Sequence, residues 1–172
     1  VRLGCTWPAL QPTLPAAHGP LMVSGFLGTL ISLERAVALN NRWPYLAPLL
    51  SGAGGLLLML GAGGLLGPLL LTLGSLGLAL MAAWIANHHR ALHTLVMGIG
   101  ALAWLLGNVR WLLGAPIFQV VLWWLAFLVL TIAGERLELS RVLRLTRRVQ
   151  GLFVGATAVF LAGVLLAATM RS

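Results

Sequence analysis

Arginine and glutamate interrupt this chain rarely, and the stretches between them are long. Residues 3–33, 43–87, 91–109, 111–134 and 149–170 contain neither. A helix that crosses a bilayer needs ~20 apolar residues. Four of these runs therefore hold one span each, while the 45 residues of 43–87 are too many for one. Gly61-Ala62-Gly63-Gly64 and Gly67-Pro68 supply the break inside that run. The pattern predicts six helices, at about 20–37, 45–64, 68–87, 91–111, 116–135 and 149–170. The strict alternation of a lipid-facing barrel strand is absent. The fold class is all-α: a polytopic transmembrane helical bundle, with residues 1–172 forming a single integral membrane domain. Residues 1–19, with Pro8, Pro12 and Pro15, read as an outer loop or as the tail of a missing helix. The tail reading comes from Val1-Arg2-Leu3-Gly4, which resembles Val109-Arg110 and Leu113-Gly114 at the end of the fourth span.

Composition agrees with the spans. The 172 residues are 60% hydrophobic and 8% charged, with a mean hydropathy of +0.99. That excludes an ordinary soluble globule, which carries roughly 25% charged residues. The net charge of +8 comes entirely from arginine, with no Lys and no Asp in the chain. If the first span enters from outside, Arg35, Arg42, Arg90, Arg136, Arg141, Arg144, Arg147 and Arg148 fall on the inner side. Arg2, Arg110 and Arg171 fall on the outer side. Such a bias is an orientation signal, and arginines scattered this way form no face for nucleic acid. Trp111, Trp123 and Trp124 near the outer boundary, and Trp43 and Tyr45 near the inner one, fit aromatic belts. Cys5 is the single cysteine and implies no disulfide framework.

Two patterns recur along the chain. Phe26–Arg35 and Phe127–Arg136 match at five of ten positions, 101 residues apart, and both end in Glu-Arg. Two of the chain's three acidic residues thus occupy equivalent places. An offset of four helices keeps both copies pointing the same way, which suggests a parallel duplication of four-helix units. Glu34, Arg35, Glu135 and Arg136 have two readings: charges settling a helix C-terminus at the interface, or a proton or substrate site. Cross-pairing, Glu34 with Arg136 and Glu135 with Arg35, is expected if the two helices adjoin.

The second pattern is His-x3-Met-x2-Gly. It appears as His18, Met22 and Gly25, and again as His93, Met97 and Gly100. Residues four and seven apart share one helical face, which Thr29 extends in the first span and Trp104 and Trp111 extend in the fourth. The glycine leaves a notch for a neighbouring helix or a flat macrocycle. A histidine at a helix N-terminus stays neutral, the form that ligates a metal. An interfacial His with a gap-filling Met is the plainer reading. On this topology His18 lies at the outer face and His93 at the inner, about a bilayer apart, so they cannot share one haem or metal: either there are two separate sites or one of the histidines is structural. His88 and His89 are a solvated pair or join His93 in a metal site. Gly151-x3-Gly155, and the small residues Ser51, Gly52, Gly54 and Gly55, favour close helix packing.

The run His93–Ala101, closed by Arg110-Trp111-Leu112-Leu113-Gly114, resembles a segment of the NnrS family. The run His18-x3-Met22-x2-Gly25-Phe26 is similar to a second motif of that family, except that Pro20 stands where the family has another histidine. The resemblance covers about a quarter of the chain. It implies a bacterial inner-membrane protein that binds haem or copper through His18 and His93. Its setting would be nitric-oxide response in denitrification, or respiratory electron transfer. Two other functions fit the residues without the resemblance. One is a proton- or anion-coupled transporter without a cofactor. The other is a structural subunit, as a homo-oligomer or among other membrane proteins in the lipid bilayer.

Overall fold

The computed structural model describes residues 14–61, 64–139 and 147–170. Helix begins at Leu14 and runs to Ala38 in three consecutive parts: α1 (Leu14–Pro20), a π-helical segment (Leu21–Leu27) and α2 (Gly28–Ala38). A short 3-10 turn (Trp43–Tyr45) leads into α3 (Leu46–Met59), followed by α4 (Leu66–His88), α5 (Leu92–Leu112), α6 (Ile117–Leu139) and α7 (Arg147–Met170). Ala17–Ala38, Leu66–His88, Leu92–Leu112 and Ile117–Leu139 are long and apolar enough to cross a membrane. Trp43–Met59 and Val154–Val164 are shorter apolar helices. The protein is therefore an all-α, polytopic membrane protein. Of six expected spans, four reach crossing length among the described residues.

Boundaries follow local chemistry. Helix starts six residues earlier than the apolar pattern predicts, so Pro20 lies inside a continuous helix instead of in its first turn. Proline has no N–H to donate and its ring crowds the carbonyl four residues back. The chain answers with the wider π-helical turns that begin at Leu21. Helices α3 and α5 stop where Gly61 and Gly114 take positive φ, +64° and +91°. Only glycine adopts that backbone without steric cost. The predicted break at residues 61–64 is seen at Gly61 and Gly64, both at positive φ, while Ala62 and Gly63 lie outside the described residues.

Successive helices pack side by side, α2 on α3, α3 on α4, α4 on α5 and α5 on α6, and α7 leans on α6. Small residues bring α3 and α4 together. A β-carbon at Gly54 would lie 2.9 Å from the Gly67 carbonyl oxygen, and one at Gly77 would lie 2.7 Å from Cβ of Ala47. One at Gly74 would overlap Ser51 Oγ. A β-carbon at Gly55 would sit 3.0 Å from Cα of Gly25, so the π-helical segment also touches α3 through glycine. In lipid, helices gain nothing by hiding apolar surface from each other, and close backbone approach supplies the attraction. Gly151 and Gly155, also expected to pack, have no described atom within 4 Å of a β-carbon position. Leu49, Leu56, Leu80, Leu102 and Ile132 are exposed around the outside, as a hydrocarbon-facing surface requires.

Polar groups buried in such a bundle must find partners within it, because no water is at hand. Asn108, wholly buried in α5, supplies them. Its Oδ1 accepts from Ser24 Oγ at 2.9 Å and from Trp124 Nε1 at 3.0 Å, and its Nδ2 donates to the Leu71 carbonyl at 3.3 Å. Ser24 in turn accepts from Trp104 Nε1 at 3.0 Å. One amide thus ties together the π-helical segment, α4, α5 and α6. Trp124 is a correction to the aromatic-belt expectation. It is 1% exposed, edge-on to Trp111 with ring centroids 5.6 Å apart, because its N–H has a partner inside. Trp43 and Tyr45 are exposed and fit the belt.

Candidate functional site

All three acidic side chains of the chain meet at one arginine. Arg35 projects from the last turn of α2, and Glu135 and Glu138 share a face of α6 because residues three apart are neighbours on a helix. Arg35 Nη2 lies 3.5 Å from Glu135 Oε1 and 3.6 Å from Glu34 Oε1, and Nη1 lies 3.8 Å from Glu138 Oε2. The Arg35 side chain is 16% exposed, against 58% for Glu34. Nη2 is buried with no hydrogen bond, since both its carboxylate neighbours stand at ion-pairing distance. Of the expected cross-pairs, Arg35 with Glu135 is present. Glu34 pairs instead with its own neighbour Arg35, and Arg136 is exposed.

Arg35 and Glu138 line a cavity of about 610 Å³ at this end of the bundle. Its walls come from α2, α4, the α4–α5 turn, α5 and α6. His89 and Arg90 enter from the turn, and His93, Thr94 and Met97 from the first turns of α5. Thr131 on α6 adds a hydroxyl group, while Leu78, Ile85 and Ala101 are apolar. His93 and Thr131 are buried, 7% and 4% exposed. The turn is shaped by Thr94, whose Oγ1 accepts from the Ala91 N–H at 3.3 Å and lies 2.8 Å from the His89 carbonyl. This places His93 at the second position of α5, where it lines the cavity.

The two His-Met-Gly stripes fare differently. His93 and Met97 line the cavity; Gly100 does not. Its notch is occupied by α6, where a β-carbon would meet Leu130 Cβ at 3.1 Å and the Phe127 carbonyl at 3.3 Å. His18 and Met22 are exposed, Met22 at 44%, and Gly25 faces Gly55. Thr29 turns its hydroxyl back to the Gly25 carbonyl. Of the aromatic extensions, Trp104 is buried and stacks on Phe127, centroids 4.9 Å apart. His88 stacks on Trp84, centroids 4.1 Å apart, and shares a 2.9 Å hydrogen bond with the Trp84 carbonyl. Among the described residues no group of three or more His, Cys, Asp or Glu is placed to hold a metal ion. Cys5, Arg2, Arg141, Arg144 and Arg171 lie outside the described residues.

Glu138 and Asn108 are the polar residues that sequence reasoning passed over. The i, i+3 spacing of Glu135 and Glu138 could have flagged the first. A lone amide in the middle of an apolar span could have flagged the second.

Exchanging Arg35 and Glu135 tests their pairing. Arg35→Glu and Glu135→Arg are each expected to destabilise the purified protein, and the double swap to recover part of the loss in denaturant unfolding. A coupling of roughly 0.5–1 kcal/mol is expected for a network of half-buried charges. Glu34→Gln, at the exposed edge, should stay within about 0.5 kcal/mol of wild type.

Helices of crossing length, a lipid-facing exterior and a polar cavity at one end define a polytopic α-helical membrane protein. The chain belongs to the family described as Domain of unknown function (DUF8744), whose profile matches residues 1–172. No curated protein and no solved structure matches it. The match does not tie the chain to the NnrS family.

Proposed function

We propose that the protein is a proton-coupled membrane transporter whose solute site is the cavity at its arginine-rich end. One observation carries this reading: Glu34, Glu135 and Glu138, every acidic residue in the chain, gather on Arg35 at a cavity that also holds His93. Ionisable groups near a bilayer interior are costly, and where they cluster they mark substrate paths and proton relays. Protonating Glu135 would remove one of the charges holding Arg35 between α2 and α6. Proton binding and the spacing of two cavity walls are then linked.

The test is solute-evoked acidification of liposomes containing the purified protein and a trapped pH dye. Amino acids, amines and carboxylic acids are supplied outside under an inward proton gradient. At least one class is expected to evoke acidification, with Glu135→Gln lowering its rate at least tenfold and Glu34→Gln leaving most of it. If no class evokes proton entry, the proposal falls.

Haem or copper binding is a second reading, favoured by the presence of His93 and Met97 on one cavity wall. His93 would donate an imidazole nitrogen and Met97 a thioether. A Soret band, or copper by elemental analysis, that is lost in His93→Ala and kept in His18→Ala would support it. Absence of both from the purified full-length protein would sink it.

A further inference from the structure

The charges around the cavity fall into two groups of opposite sign. Where α2 meets α6, three carboxylates surround one guanidinium. At the α4–α5 turn, Arg90 stands with His89 and His93, and among the described residues Arg90 makes no ion pair with any of those carboxylates. Arg35 and Glu138 of the first group and Arg90, His89 and His93 of the second line the same space of about 610 Å³, whose walls also include Leu78, Ile85, Met97 and Ala101. A purely cationic ligand would satisfy the acidic group and meet Arg90 unfavourably. A purely anionic ligand would do the reverse.

We infer that the cavity takes a small zwitterion with an apolar body, of the α-amino acid class. The ammonium group faces Glu138 and the carboxylate faces Arg90 and His89. The side chain lies on the aliphatic floor. This assignment deepens the transporter reading and rests on its placement of the solute site. Charge-assisted hydrogen bonds at both ends make the recognition specific, because either charged end lacking a partner forfeits one of them.

Three probes of nearly equal shape separate the possibilities. Leucine carries both charges, 3-methylbutylamine lacks the carboxylate, and 4-methylpentanoate lacks the ammonium group. Binding is measured by equilibrium dialysis of labelled leucine with the full-length protein in nanodiscs, the other two serving as competitors. Leucine is expected to bind roughly tenfold or more tightly than either analogue. Glu138→Gln should cut leucine affinity to about that of the acid, and Arg90→Gln to about that of the amine. Both residues are exposed, so the variants retain the bundle. Amine binding equal to leucine would establish a cation site and overturn the proposal, as would acid binding equal to leucine or no leucine binding at all. Leucine binding without evoked proton flux would leave this assignment standing and remove the transporter. Proton flux evoked by another solute without leucine binding would do the opposite.

Discussion

Asn108→Leu is expected to lower the stability of the bundle by about 2–4 kcal/mol. Leucine has a similar shape, so little of that loss comes from a void. It comes from the three hydrogen bonds that Asn108 makes to Ser24, Trp124 and Leu71. Hydrogen bonds between membrane helices average about 0.6 kcal/mol and reach about 1.7. The larger part is the Trp124 N–H, left without an acceptor in a medium that offers none. Ser24 suffers less, since it still accepts from Trp104 and its hydroxyl can turn to its own helix. Unfolding in mixed micelles by a denaturing detergent gives the number. Asn108→Leu combined with Trp124→Phe should be less destabilised than the sum of the two, because it removes both ends of one bond. Strict additivity would show that the amide and the indole do not act together.

Gly28→Ala should destabilise the bundle by roughly 1–3 kcal/mol, towards the upper end of that range for overpacking. The added methyl would overlap the six-membered ring of Trp104. That ring cannot retreat: it is wholly buried, stacked on Phe127 and held at its nitrogen by Ser24. Trp104→Phe, which shortens the ring, should restore much of the loss in Gly28→Ala. Gly98→Ala is the control, with nothing within 4 Å of its β-carbon position. It should be neutral or stabilising, by up to about 1 kcal/mol, as helix propensity alone dictates. If thermal melts of the two alanine variants coincide, the Trp104 contact does not constrain α2.

The four helices of crossing length were legible because charge is so scarce that its absence outlines them, and the Gly61–Gly64 break was legible from composition. The Glu-Arg repeat correctly foretold that Arg35 would meet Glu135. It did not foretell Glu138, since the chain's third acid has no counterpart in the first copy. Which helix face turns inward was largely illegible. Interior and lipid-facing positions are equally apolar here: Leu71 is buried and Leu73 exposed two residues later. The helical period that marks a core in a water-soluble protein therefore carries little information. For the same reason Gly25 and Gly100 read equally well as notches for a macrocycle or for a helix. Only the placement of Gly55 beside the first and of Leu130 beside the second decides which occupant sits there. Trp124 looked like a belt residue because its partner, Asn108, lies sixteen positions back on another helix.

The α3–α4 seam constrains where the bundle can move. Its contacts are tight at Gly54, Gly67 and Gly77: Gly54 meets the Gly67 carbonyl, Gly77 meets Ala47, and Leu58 and Leu71 pack against the first two glycines. A joint of that kind behaves as a keel: two helices displaced together, as one stiff plank. The opposite side of the cavity is closed by ion pairs of 3.5–3.8 Å between α2 and α6, contacts that lengthen gradually instead of colliding. Any opening of the cavity should therefore swing α6 away from α2 while α3 and α4 hold still. Amide exchange would register this as early deuterium uptake near Glu135, long before any at Gly74.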